Sequence, residues 1–116
     1  RKVPVELVVN GAAVERREVV ADGAWQNVRF DWTPTESSWV CLRIYPSSHT
    51  NPIFVEVGGA PIRASKASAR WCAEAVEVCW RSKRGAIRAE ELVAARKAFD
   101  EARAAYTRIM EECERE

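Results

Sequence analysis

The sequence predicts an α+β fold: an antiparallel β-sandwich-like half of about five strands, then a long antiparallel α-helical hairpin. Three observations lead there. Up to residue 63, apolar and polar side chains alternate between turn-forming dipeptides. From residue 64 the apolar spacing becomes three and four, the helical period. Charges at the ends of the two helical segments are opposite in sign where an antiparallel hairpin brings them together. A chain of 116 residues holds one modest core, so 1–116 reads as a single domain, with a β part over 1–63 and a helical hairpin over 64–116.

Strand one carries Val3, Val5, Leu7 and Val9 on alternate positions, the period of a half-buried strand. Asn10-Gly11 follows, and both residue types tolerate positive φ, so a two-residue hairpin is expected. Strand two, about Ala13 to Val20, has a charged Glu15-Arg16-Arg17-Glu18 centre that suits a sheet edge. After a turn at Ala21 to Ala24, Val28, Phe30 and Trp32 share one face of an expected third strand. Strand four, Trp39 to Tyr45, is apolar on both sides except at Arg43, which marks a central strand covered on each face. Ile53 to Val57 is the next strand, Gly58-Gly59 a further hairpin turn, and Pro61 to Arg63 a short closing piece.

Ser65 is the expected N-cap of the first helix, which runs to about Lys83 with Gly85 as its stop. Its stripe is Cys72, Ala75, Val76 and Cys79, with Trp71 and Trp80 beside it. The second helix runs from about Arg88 to near Glu114, with a seam of Leu92, Ala95, Phe99, Ala102, Tyr106, Ile109 and Cys113. A link of about four residues makes the pair antiparallel. That sets the acidic tail from Glu111 to Glu116 beside Arg63, Lys66 and Arg70, and Arg81 to Arg84 beside Glu90 and Glu91. The second helix is longer by about two turns, so one end should overhang or meet another surface.

Net charge is +1, from 18 basic and 17 acidic side chains, so no global field draws the chain to nucleic acid. The basic run at Arg81 to Arg84 is too short for a nucleic-acid face. No apolar run approaches the length of a membrane span. Cys72 and Cys79 lie about 10 Å apart along one helix, beyond the reach of a disulfide. All four cysteines read as thiols, mostly buried, which tilts the compartment only weakly toward the cytoplasm. The chain begins at Arg1, with no initiator methionine, and reads as a piece of a longer protein.

One stretch invites chemistry. Residues 46–52, PSSHTNP, hold the only histidine of the chain, His49. A catalytic zinc needs three protein ligands, and no ligand-spaced cluster accompanies His49, so no metal site and no catalytic residue is assigned to this chain. The structural reading is a proline-braced connection in which Ser47, Ser48, Thr50 and Asn51 cap turns. The five tryptophans open another possibility, an independent carbohydrate- or protein-binding β-sandwich module, provided several stand exposed on one surface.

The runs PVELVVNG (Pro4 to Gly11), SSWVCLRIYPSSHTNPIFVEVGGAPIRAS (Ser37 to Ser65) and SARWC (Ser68 to Cys72) resemble the C-terminal region of CehA/McbA-family metallohydrolases. The tail AARKAFDEARAAYTRIMEE is similar in character to the family's closing helix. The resemblance implies a parent enzyme that hydrolyses ester, carbamate or phosphoester-like bonds, with a divalent metal held by His and Asp on a PHP-type domain upstream. The chain itself, with one histidine, then needs no cofactor and serves as a non-catalytic accessory domain packed on that catalytic domain. Export of the parent stays open. In this setting Ser47, Ser48, His49, Thr50 and Asn51 form the candidate interdomain loop, with His49 helping to line the active-site mouth. The uncovered face of strand four would meet upstream polypeptide, or a second copy in a homo-oligomer.

Overall fold

The computed structural model describes residues 1–114, in a chain that divides into two compact units, Arg1–Ile62 and Arg63–Glu116. Arg115 and Glu116, the end of the expected acidic tail, lie outside the described residues. An antiparallel sheet followed by two helices makes the fold α+β, as the two apolar periods predict.

The first unit contains β1 (Lys2–Val9), β2 (Ala12–Val20), β3 (Ser38–Ile44), β4 (Ser48–His49) and β5 (Ile53–Val55). All five belong to one sheet, in the order β2-β1-β3-β4, with β5 also paired to β3. Asn10 and Gly11 adopt φ of 50° and 89°, the left-handed pair that the β1–β2 turn demands. Charged β2 takes the outer position its composition suggests. Register places Val5, Leu7, Val9, Val40 and Leu42 on one face, and Glu6, Val8, Trp39, Cys41 and Arg43 on the other. Val5, Leu7 and Val8 are the buried apolar residues of this unit.

Four strand expectations need correction. Val28 to Trp32 is extended but is not a strand. Its alternation holds, since Val28, Phe30 and Trp32 are half-buried while Arg29 and Asp31 are exposed. The segment crosses the face of the sheet instead of joining its edge. Phe30 lies 5.6 Å from the Arg17 guanidinium, and Val28 borders a hollow with Leu7 and Leu42. A strand-like pattern reports a buried face and cannot tell a ladder from a covering segment.

β5 stops at Val55, and Pro61 to Arg63 forms no strand. The Gly58-Gly59 turn is closed by a side chain. Ser37 Oγ accepts the Val57 N–H at 2.8 Å and donates to the Ala60 carbonyl at 2.6 Å. Finally, β3 is half-buried along most of its length, not covered on both faces.

The second unit is a helical hairpin of α1 (Lys66–Lys83) and α2 (Leu92–Glu112). Ser65 caps α1 as expected, its hydroxyl accepting the Ser68 N–H at 3.1 Å. Gly85 does not make a left-handed stop. It sits in a 3-10 turn, Arg84–Ala86, and a second such turn, Ala89–Glu91, leads into α2. With 18 residues in α1 and 21 in α2, the difference of three is less than one turn, so the expected two-turn overhang is absent. Arg63 pairs with Glu112 at 2.6 Å, within the charge pairing the antiparallel arrangement predicts.

The expected α1 stripe holds at Cys72, Ala75 and Val76, which are half-buried, and fails at Cys79, whose place in the seam Trp80 takes. Ala69 and Trp80 are buried, whereas Cys79 is exposed and Trp71 is 69% exposed. An indole ring offers far more apolar area than a thiol, so Trp80 takes the seam. It meets Phe99 with ring centroids 5.3 Å apart, and the Arg96 guanidinium lies 4.9 Å from its ring. A hydrogen bond to Asp100, at 2.6 Å, is the first cause that holds Arg96 above its usual guanidinium pKa. The reading of the cysteines as mostly buried is also corrected. All four are free thiols, but only Cys113 is buried, with Cys41 and Cys72 half-buried. Among the described residues, no helix is long and apolar enough to cross a membrane.

Candidate functional site

PSSHTNP is not a simple connection. Ser47 donates its N–H to the Ile44 carbonyl at 2.8 Å, closing a tight turn across the cis Tyr45–Pro46 bond. The Ser47 hydroxyl adds a second bond to the same carbonyl at 3.1 Å. Ser48 and His49 then form β4 and pair with Ile44 and Arg43 of β3. Thr50 continues the ladder with its side chain. Its N–H donates to the Leu42 carbonyl at 2.9 Å, and its Oγ1 accepts the Leu42 N–H at 3.0 Å. The run from Ser48 to Val55 is therefore an interrupted edge strand, and Pro52, which has no N–H to give, sits in the break.

Pairing puts His49 on the face that carries Arg43, and Arg43 is fixed from the next strand. Glu6 Oε2 accepts from Arg43 Nε at 2.9 Å and from Nη2 at 2.8 Å. Arg16, Glu6, Arg43 and His49 form one cross-strand row over β2, β1, β3 and β4. The Arg43 guanidinium also lies 5.5 Å from the Tyr45 ring. His49 Nδ1 stands 3.0 Å from the Thr50 carbonyl. Because a carbonyl only accepts, Nδ1 is the donor of this bond.

Beside this row is a hollow of about 480 Å³, bordered by Val8, Trp39, Cys41, Pro52 and Phe54 as well as His49. Ser47, Ser48, His49, Thr50 and Asn51 are all exposed. Ser48, His49 and Thr50 also border a second hollow with Val5, Leu42 and Ile44, and Thr50 and Asn51 border a third. Among the described residues, no group of three or more His, Cys, Asp or Glu could hold a metal ion. The fixed Arg43 cation beside His49 further disfavours a second cation in this row. What the arrangement offers is an exposed imidazole, a bound guanidinium and a broad apolar floor.

Side-chain bonds that no local sequence pattern revealed hold this surface in place. Asn10 accepts the Trp39 N–H on Oδ1 at 3.0 Å, donates from Nδ2 to Ser38 Oγ at 3.2 Å, and gives its own N–H to the Trp39 carbonyl at 3.0 Å. Ser37 and Ser38 are the buried polar residues. The Asn-Gly dipeptide revealed the turn, but nothing local linked Asn10 to a strand 28 positions away.

The tryptophans of this unit do not form a row. Trp25 is fully exposed, whereas Trp32 and Trp39 are half-buried. No protein-family model, curated protein or solved structure matches the chain.

Proposed function

We propose that this chain is the non-catalytic C-terminal accessory domain of a PHP-type metal-dependent hydrolase, docked on its upstream catalytic domain through the PSSHTNP edge. The observation that carries this reading is the apolar surface around that edge. Ile53 and Phe54 are each 67% exposed and Tyr45 is 70% exposed, within a short stretch of chain. Burying such a side chain is worth roughly 1.5–3 kcal/mol, so a partner surface here would gain substantially from covering them. The residues that resemble the CehA/McbA family include this stretch whole, from Ser37 to Ser65. The catalytic metal belongs to the upstream domain in this reading, and His49 contributes contact at its mouth. An independent carbohydrate-binding module fits less well, because the first unit has one fully exposed tryptophan instead of a ring-bearing face.

The isolated chain is expected to bind no stoichiometric zinc and to show no esterase or phosphoesterase turnover. Elemental analysis and hydrolysis assays test this, and either a bound metal at one equivalent or turnover would refute it. His49→Ala in the isolated chain is expected to shift urea-unfolding stability by less than about 0.5 kcal/mol, since the side chain is exposed. In the parent enzyme the same substitution should lower activity while leaving the fold intact.

A further inference from the structure

The outer strand β2 offers a free edge of nine residues. Two observations fix which backbone groups face outward. Ala21 donates its N–H to the Arg1 carbonyl at 2.7 Å, so odd-numbered positions near this end turn their backbone toward β1. Pro4, which has no N–H, is paired with Glu18, so that pair occupies a position without ladder hydrogen bonds. Arg16 and Glu18 therefore present their N–H and C=O groups away from β1. Val20 shares that parity, but its carbonyl already accepts from the Asp22 N–H at 3.1 Å and from the Gln26 side chain. The open part of the edge centres on Arg16 to Glu18.

A second copy that meets this edge antiparallel, about a two-fold axis, must pair even positions with even positions. Side chains then choose among the three central registers. An axis through Arg16 sets Arg16 against its own copy, and an axis through Glu18 sets two carboxylates together. An axis through Arg17 sets Arg16 against Glu18 twice. It also brings Val14, 53% exposed, up to Val20, 45% exposed, at each end. Opposite charges directly across a ladder stabilise it and like charges destabilise it. The remaining like pair, Arg17 with Arg17, falls on the other face. Each of these guanidinium groups is already held by Glu15 of its own strand at 2.7 Å and lies against Phe30.

We propose that β2 is a homodimerisation edge, joining the sheets of two copies through antiparallel pairing centred on Arg17. The charged centre protects the edge against slipped or unrelated strands and favours this one register. The inference stands on β2 alone and does not depend on the family of the chain.

Sedimentation equilibrium of the 116-residue chain is expected to show a monomer–dimer equilibrium. Arg16→Glu or Glu18→Arg alone should weaken it by about tenfold or more, and the double exchange R16E/E18R should restore it. Circular dichroism confirms that each variant is folded. In a Cys79→Ser background, Arg17→Cys should give a disulfide-linked dimer on mild oxidation. Facing residues at such a position have Cα atoms about 4.5 Å apart, within disulfide reach. A chain that stays monomeric at every concentration, or a double exchange that fails to restore association, would overturn the proposal. So would a cross-link that forms at Arg16→Cys in preference to Arg17→Cys.

Discussion

Replacing Trp80 with alanine is expected to destabilise the helical unit by about 3–5 kcal/mol, the largest effect of any single truncation in that unit. Among the described residues of that unit, Trp80 is buried together with Ala69 and Cys113, and it is the largest of the three side chains. Its loss removes the Phe99 contact and the surface under Arg96 together. A two-helix hairpin has little surplus stability to absorb such a loss. Trp71→Ala, nine residues earlier on the same helix, should change stability by under about 0.5 kcal/mol, because that ring is 69% exposed. Urea unfolding followed by ellipticity at 222 nm separates the two. Equal effects would contradict the placement of Trp80 in the seam.

The second large effect falls at Asn10. Asn10→Ala is expected to cost about 2–5 kcal/mol, from two sources. An alanine held at φ 50° suffers the left-handed penalty of roughly 1–2 kcal/mol. Removing Oδ1 leaves the half-buried Trp39 N–H without its acceptor, worth about 1–3 kcal/mol. Asn10→Gly distinguishes them, because glycine keeps the turn and loses only the side-chain bonds. Glycine should recover part of the loss, and chemical denaturation of the three proteins measures how much. Full recovery by glycine would mean that the bonds from β1 to β3 contribute nothing.

These two residues also show what the sequence could and could not reveal. Asn-Gly announced a hairpin because φ preference is local, and both residues do adopt positive φ. That the same asparagine fastens β3 depends on strand order, which no local pattern contains. The heptad seam of α2 was legible at Ala95, Phe99, Ala102 and Ile109, which are half-buried, whereas Leu92 and Tyr106 of the expected seam are exposed. On α1 the choice between Cys79 and Trp80 was not legible, since adjacent residues differ by only about 100° on a helix and packing area decides between them.

The segment from Val28 to Trp32 carried a strand's alternation without a strand's pairing. Burial on one side of an extended chain produces the same pattern with or without a ladder. PSSHTNP erred in the opposite direction. Turn-forming residues and two prolines concealed a short strand that depends on Thr50 Oγ1 for continuity with β3. It lies at the rim of the sheet, near the exposed side chains of Tyr45, Ile53 and Phe54.

Hydrogen exchange across Tyr45 to Val55 tests the docking role most directly, comparing the isolated chain with the protein that carries its upstream catalytic domain. Docking through the PSSHTNP edge predicts slower exchange of these amides in the longer protein, and return to the isolated-chain rates when Phe54 is replaced by arginine. Identical exchange in the two proteins across this stretch would contradict it.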